Sequence, residues 1–221
     1  MSKSYTVRES LEDADRGNLK SFSDTLAHLL FHRGIKSEDE AVAFMSPNYD
    51  RHVHDPFLLL GMEKAVQRIL QAIKDGEKIA IFSDYDADGV PGAVVLHDFF
   101  KLAGFHNFLN YIPDRQEEGF GLSVFAIEEI KKQGATLLIT IDCGITALEE
   151  VDFANNLGID VIITDHHLPS EIGLPKSFAN INPKISPDYP EQMLCGAGVI
   201  FKVVQAIILK ERFGLAPGAE K

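Results

Sequence analysis

Apolar positions along the chain follow two different rhythms. Up to residue 75 they recur at helical spacing. Leu26, Leu29 and Leu30 open a short helix, and Ser37 ahead of Glu38, Asp39 and Glu40 reads as an N-cap with an acidic first turn. Pro47 and Pro56 break the stretch that follows. Met62, Ala65, Val66, Ile69, Leu70 and Ile73 then stand at i, i+3, i+4, i+7, i+8 and i+11, which predicts one amphipathic helix ending at Asp75-Gly76. From Lys78 onward, short apolar runs alternate with helical stretches. KIAIFS (78–83) precedes a helix over 91–103, NFLNYI (107–112) one over 122–133, and TLLITI (136–141) one over 146–156. DVIIT (160–164) and SFANI (177–181) follow, then a long loop and a helix over about 198–212. Runs of β-branched residues without polar alternation suit strands buried on both faces, and their alternation with helices suits a parallel sheet. The expectation is an α/β fold: a mostly parallel open sheet of about five strands flanked by helices. An N-terminal arm (1–20) and helical preface complete residues 1–75, the sheet domain covers 76–213, and 214–221 form a tail.

Composition narrows the class. The chain has 221 residues, of which 45% are hydrophobic and 24% charged, ordinary for a packed globule. It has no apolar run long enough to span a bilayer, no signal-peptide core, and only 2 cysteines, so a cytoplasmic protein without membrane contact is expected. The net charge, 21 − 33 = −12, argues against a simple basic nucleic-acid-binding module. An enzyme that gathers carboxylates around metal ions remains compatible with it.

The acidic residues fall where such an enzyme needs them. In open parallel sheets the ligand site lies beyond the carboxyl ends of the strands. The first apolar run ends in Asp84-Tyr85-Asp86-Ala87-Asp88, the third in Asp142-Cys143-Gly144, and the fourth in Asp165-His166-His167. With Asp165 set aside, the four clustered carboxylates of Asp84, Asp86, Asp88 and Asp142 repel one another unless protonated or paired with cations. Two divalent ions would balance them, and oxygen ligands with one or two imidazoles suit Mn²⁺ or Mg²⁺ better than zinc. Two such ions can activate water and steady both oxygens of a displacement at phosphorus, which points to hydrolytic phosphoryl transfer.

Groups for the remaining phosphate charge are also present. Arg115 follows the Ile112-Pro113-Asp114 turn, and Glu118-Gly119-Phe120-Gly121 behind it can close on a substrate. Gly196-Ala197-Gly198 opens the last helix, where backbone N–H groups could cradle phosphate, and Lys184 sits on the preceding loop. His28 with His32 and His52 with His54 have metal-like spacing but no acidic cluster, so they read as surface groups. Cys143 and Cys195 lack the spacing of zinc or redox motifs, and the adjacent Glu117 and Glu118 rarely would face one way.

These motifs resemble the DHH phosphoesterase superfamily, whose triplet stands here as Asp165-His166-His167. Within it the chain looks like the RecJ-type single-strand-specific exonucleases. SDYDADGVPGA (83–93), IPDRQEEGFGLS (112–123), TIDCGI (140–145), ITDHHLP (163–169), NPK (182–184) and LCGAGVIFKV (194–203) follow that group's order, over roughly residues 24–213. The resemblance implies that Asp84, Asp86 and Asp88 hold the ions, Asp142 bridges them and His166 ligates one. His167 would face the scissile phosphate, and Asp165 would orient an imidazole. Arg115, Lys184, Gly196 and Gly198 remain as substrate-binding candidates. The reaction implied is stepwise hydrolysis of single-stranded DNA from the 5′ end, in repair and recombination; polarity and the choice of DNA come from the resemblance alone. The group's members continue past this point with a further metal-binding aspartate, a second core domain and an OB-fold, so the expectation is a fragment of low activity. Two rivals stand beside this reading. One is a phosphodiesterase acting on short RNA oligomers, cyclic dinucleotides or pyrophosphate, and the other is an inactive scaffold of the same fold.

Overall fold

A computed structural model describes residues 6–220, and the chain divides into two compact units, Met1–Val53 and His54–Lys221. The first unit holds four short helices, α1 (Asp13–Gly17), α2 (Asp24–Phe31), α3 (Glu38–Met45) and α4 (Tyr49–His52). Ser37 accepts from Glu40 N–H and the Glu40 side chain accepts from Ser37 N–H, the capping box that the sequence signals. Leu19, Ala27, Leu30 and Ala41 form a small core, with Leu11, Phe22 and Phe31 packed around it. Residues 11–20 are therefore not a loose arm. Arg16 ties them down through the carbonyls of Leu19 and Phe22 and the carboxylate of Asp24. His28 Nε2 accepts from Leu11 N–H and His32 Nε2 lies 3.1 Å from Glu9 O, so one nitrogen of each ring holds backbone.

The second unit is built on five parallel strands, β1 (Ile79–Ser83), β2 (Phe108–Tyr111), β3 (Leu137–Ile141), β4 (Asp160–Thr164) and β5 (Ala179–Ile181), in the order β2-β1-β3-β4-β5. Strand side chains alternate between two cores. Ile79, Ile81, Leu137, Ile139, Ile141 and Ile162 face a layer containing α5 (Met62–Asp75), α6 (Gly89–Leu102) and α9 (Gly196–Lys210). Ala80, Phe82, Leu138, Val161 and Ile163 face the layer of α7 (Val124–Lys132) and α8 (Leu148–Asn156). Both faces are covered, which is why β1 and β3 are buried throughout.

Two boundaries move from their sequence-based positions. α5 was expected in the preface, yet Met62, Ala65, Val66, Ile69 and Ala72 bury their stripe in the sheet's larger core, so the compact unit starts at His54 instead of residue 76. The tail does not begin cleanly at residue 214 either, because Leu215 packs with Phe213 against the same core. No described helix is long and apolar enough to cross a membrane.

Candidate metal centre

Strand β1 lies between β2 and β3, so chain direction across the sheet reverses at β1 and a crevice opens at the strands' carboxyl ends. The ladder extends one residue past each strand there. Asp84 N–H donates to Ile141 O, Asp142 N–H to Thr164 O, and Asp165 N–H to Ile181 O. Three aspartates, each 1% exposed, thus stand level on adjacent strands. The turn after β3 is tight. Asp142 has a φ of 64°, and Gly144 a φ of 106° with its Cα so close to Thr140 that a Cβ would lie 2.9 Å from the hydroxyl.

The side chains converge as two overlapping sets. Asp84, Asp86 and Asp142 place ligand atoms within 4.8 Å of one another, and so do Asp142, His166 and His167. Asp142 belongs to both. Its Oδ1 is buried and has no hydrogen-bond partner; His166 Nε2 lies 3.1 Å away but out of hydrogen-bonding alignment. An orphaned carboxylate oxygen at that depth is costly unless a cation meets it. The electrostatics agree. Burial, followed by the charges of Asp88 and Asp86, pushes the Asp142 carboxyl up to about 7. Burial likewise raises Asp84. Asp86 is held low because its Oδ1 accepts from Gly89 and Asp88 N–H at the start of α6. Oxygen donors plus imidazole, with one acceptor left open, fit a divalent cation of the Mn²⁺ or Mg²⁺ kind.

The DHH triplet divides its labour. Asp165 Oδ2 accepts from Ile145 N–H, while Oδ1 accepts from the backbone of His166 and His167 and sits 2.7 Å from His167 Nδ1. Burial lowers the His167 pKa, but the Asp165 contact outweighs it and the net shift is upward. A carboxylate only accepts, so the contact to Asp165 favours a proton on Nδ1 and leaves Nε2 as the open ring nitrogen.

Several sequence-marked residues have other employment. Asp88 lies outside both sets, since its two oxygens accept from Gly196 and Ala197 N–H at 2.7 Å each. These bonds hold its carboxyl low against the opposing effect of burial. Gly196 consequently offers no free N–H for phosphate. It is glycine because a Cβ would lie 2.5 Å from Asp142 Oδ1, and Gly198 because a Cβ would meet Leu194 at 2.8 Å. The same capping carboxylate starts α9 at residue 196, two residues before the apolar pattern suggests. Lys184 Nζ donates to Gln192 O within its own loop. Arg115 alone among these stays exposed, its guanidinium 5.3 Å from the centre of the Tyr85 ring. Sequence reading missed what holds its loop. Glu118 accepts from Tyr111 O–H at 2.6 Å and from Asp114 N–H at 2.9 Å. A tyrosine ending a strand seven residues before a glutamate carries no periodic signal, so only the fold reveals the pair.

A parallel sheet with this switch point, three level aspartates and the Asp-His-His triplet define an α/β domain with an acidic, histidine-bearing centre at the carboxyl ends of its strands. The family model for the DHH family N-terminal domain matches residues 78–218, and the chain belongs to that family. Among curated proteins, it is 42% identical over 211 residues to the single-stranded-DNA-specific exonuclease RecJ of Bacillus subtilis, covering 91% of this chain and 26% of that protein. It is 37% identical over 186 residues to RecJ of Escherichia coli, covering 82% and 31%. A crystal structure of exonuclease RecJ bound to manganese superposes with a TM-score of 0.64 at 34% identity, over 72% of this chain and 40% of that one. RecJ from Thermus thermophilus with Mn²⁺ gives 0.69 at 27% identity, over 93% and 28%. The chain thus spans about a quarter to a third of the curated relatives' length.

Proposed function

We propose that this chain carries the metal-dependent phosphodiester-cleaving centre of a single-strand-specific exonuclease, acting on DNA from its 5′ end in cytoplasmic repair and recombination. The observation that carries the reading is Asp142, which belongs to both ligand sets and whose buried Oδ1 makes no hydrogen bond. In this reading Asp84, Asp86 and Asp142 hold one divalent cation, and Asp142 and His166 hold another, with His167 beside them facing the phosphate. Two bound Mn²⁺ or Mg²⁺ ions supply water activation and charge neutralisation at phosphorus. The protein's own groups supply the rest. Asp165 keeps the proton of His167 on Nδ1 and fixes the ring. Asp88 sets the distance between the first acidic loop and α9 and so shapes the cluster from behind. Arg115, exposed on a loop pinned by Glu118, is placed to meet a non-bridging phosphate oxygen.

End-labelled substrates test this. With Mn²⁺, a single strand labelled at its 5′ end should release labelled mononucleotide, and a duplex or a chelated reaction should not. Turnover of dinucleotides in preference to longer strands would favour the small-substrate phosphodiesterase. Absence of Mn²⁺ binding in calorimetry would favour a scaffold.

A further inference from the structure

The small N-terminal unit leaves apolar side chains outside its own core. α2 buries Ala27 and Leu30, and α3 buries Ala41 alone. Leu29 is 50% exposed on the side of α2 away from that stripe, and Phe44 and Met45 stand exposed at the end of α3. A hollow of about 230 Å³ lies between the two helices, lined by Leu26, Leu30, Phe44 and Met45 and bounded by Leu29 and Arg33. A second hollow of about 620 Å³ shares Leu29 and Arg33 and extends to Val7 and Arg8. Leu29 is therefore a ridge between two hollows whose surfaces are mainly apolar. Scattered exposed apolar residues are ordinary, but a contiguous group of them marks a contact surface.

The same surface carries unpaired positive charge. Arg8 Nη1 donates to His32 O and Arg33 Nη1 to Leu29 O, at the carbonyl end of α2. Nε and Nη2 of both guanidiniums have no partner among the described residues, and no carboxylate meets either one. Three kinds of occupant can be compared on that basis. A second copy seated about a two-fold axis would crowd four guanidiniums into one interface, and like charges there are unfavourable. A single nucleic-acid strand needs rows of cations and a series of stacking rings. The chain carries a net charge of −12, and Phe44 is the one phenyl ring among the described residues lining either hollow. An amphipathic helix with acidic flanks meets both features. Its apolar residues at i, i+4 and i+7 can straddle Leu29, and its carboxylates can accept from the open guanidinium forks.

We propose that α2 and α3 form a docking surface for an acidic amphipathic helix of another protein. The two hollows take the helix's apolar stripe, and Arg8 and Arg33 select the sign of its charge. The surface lies wholly within residues 7–45 and uses none of the metal-centre residues.

Peptide binding to the full chain in chelator tests this. The probe is a synthetic peptide of about 18 residues, long enough to form helix, with a leucine stripe flanked by glutamates. Its twin carries lysine in place of each glutamate. In fluorescence anisotropy the glutamate peptide should bind about tenfold or more tightly than its twin, the scale of one charge-assisted hydrogen bond. Leu29→Glu should weaken it by about tenfold or more, since an exposed position loses its apolar contact. Arg8→Glu combined with Arg33→Glu should reverse the preference between the peptides. Unchanged thermal melting shows that each variant is folded; Leu29→Gln and Arg33→Gln replace any that is not. Equal affinity for both peptides, binding of neither, or indifference to the Leu29 change overturns the proposal. Self-association in sedimentation that Leu29→Glu abolishes would give the surface to a second copy instead. An oligothymidylate that binds in chelator and is released by Arg8→Gln with Arg33→Gln would give it to nucleic acid.

Discussion

Asp88 and Gly196, 108 positions apart in sequence, are joined by a 2.7 Å hydrogen bond from the Gly196 N–H to the Asp88 carboxylate. The second oxygen of Asp88 accepts from Ala197, so the side chain caps α9 from another element. Asp88→Ala should therefore lower stability by about 1–2 kcal/mol, the usual worth of an N-cap, even without metal. Urea unfolding in chelator measures it. An unchanged midpoint would mean the cap contributes nothing and Asp88 serves the ions alone.

Asp142 is expected to behave in the opposite way. Asparagine tolerates the left-handed backbone at this position and removes a charge that burial and two neighbouring carboxylates disfavour. Asp142→Asn should raise the stability of the metal-free protein by about 0.5–2 kcal/mol. It should also forfeit the gain from Mn²⁺, which for one site is about 2.7 kcal/mol at a concentration a hundred times Kd. Thermal melts with and without Mn²⁺ give both quantities; a mutant stabilised by Mn²⁺ as strongly as wild type would remove Asp142 from the centre.

The Arg115 loop depends on a phenol at the end of β2, the strand beside the one that carries Asp84. Tyr111 donates to Glu118, and burial first, then that bond, pushes its own pKa beyond the ordinary tyrosine range. Tyr111→Phe should loosen the loop by about 0.5–1.5 kcal/mol and raise KM for a single strand by roughly 2–10-fold. Mn²⁺ affinity should stay constant. A matching loss of metal affinity would show that the loop supports the cluster directly.

Acid sensitivity should centre on Arg68. Its guanidinium holds both oxygens of Glu77 and one of Asp160, with Arg68 12% and Glu77 23% exposed. The bond to Arg68 lowers the Glu77 pKa. A carboxyl whose folded pKa is depressed stabilises the fold above its unfolded value, and that stability disappears as pH falls through the folded value. The loss belongs below about pH 4.3, the ordinary glutamate pKa. Arg68→Met should cost about 2 kcal/mol at neutral pH and flatten stability against pH in that acidic window. A variant whose acid unfolding curve parallels the wild type would place the sensitivity elsewhere.

The strands and the cluster were readable from the chain because their signals are local. IAIFS, LLITI and DVIIT are short runs dominated by apolar and β-branched residues, and each acidic motif begins within a residue of its run's end. Parallel pairing then brings Asp84, Asp142 and Asp165 to one level without further information. What escaped prediction depends on partners distant in sequence. The stripe of α5 looks the same whether it packs within a preface or on the sheet. The Gly-Ala-Gly start of α9 resembles a phosphate cradle until Asp88 arrives from more than a hundred residues away. Leu19 gave no warning that residues 11–20 would pack, because three carbonyl and carboxylate contacts to Arg16 do that work.

The level placement of those three aspartates has a thermal consequence. Neighbouring strands run about 4.8 Å apart. The backbone ladder therefore fixes where Asp84 and Asp142 leave the sheet, and where Asp165 stands to orient His167, before any side chain adjusts. A ladder of this kind does not soften gradually. On heating, the capacity to take up ions should persist undiminished until the sheet itself melts, and then vanish in the same cooperative step.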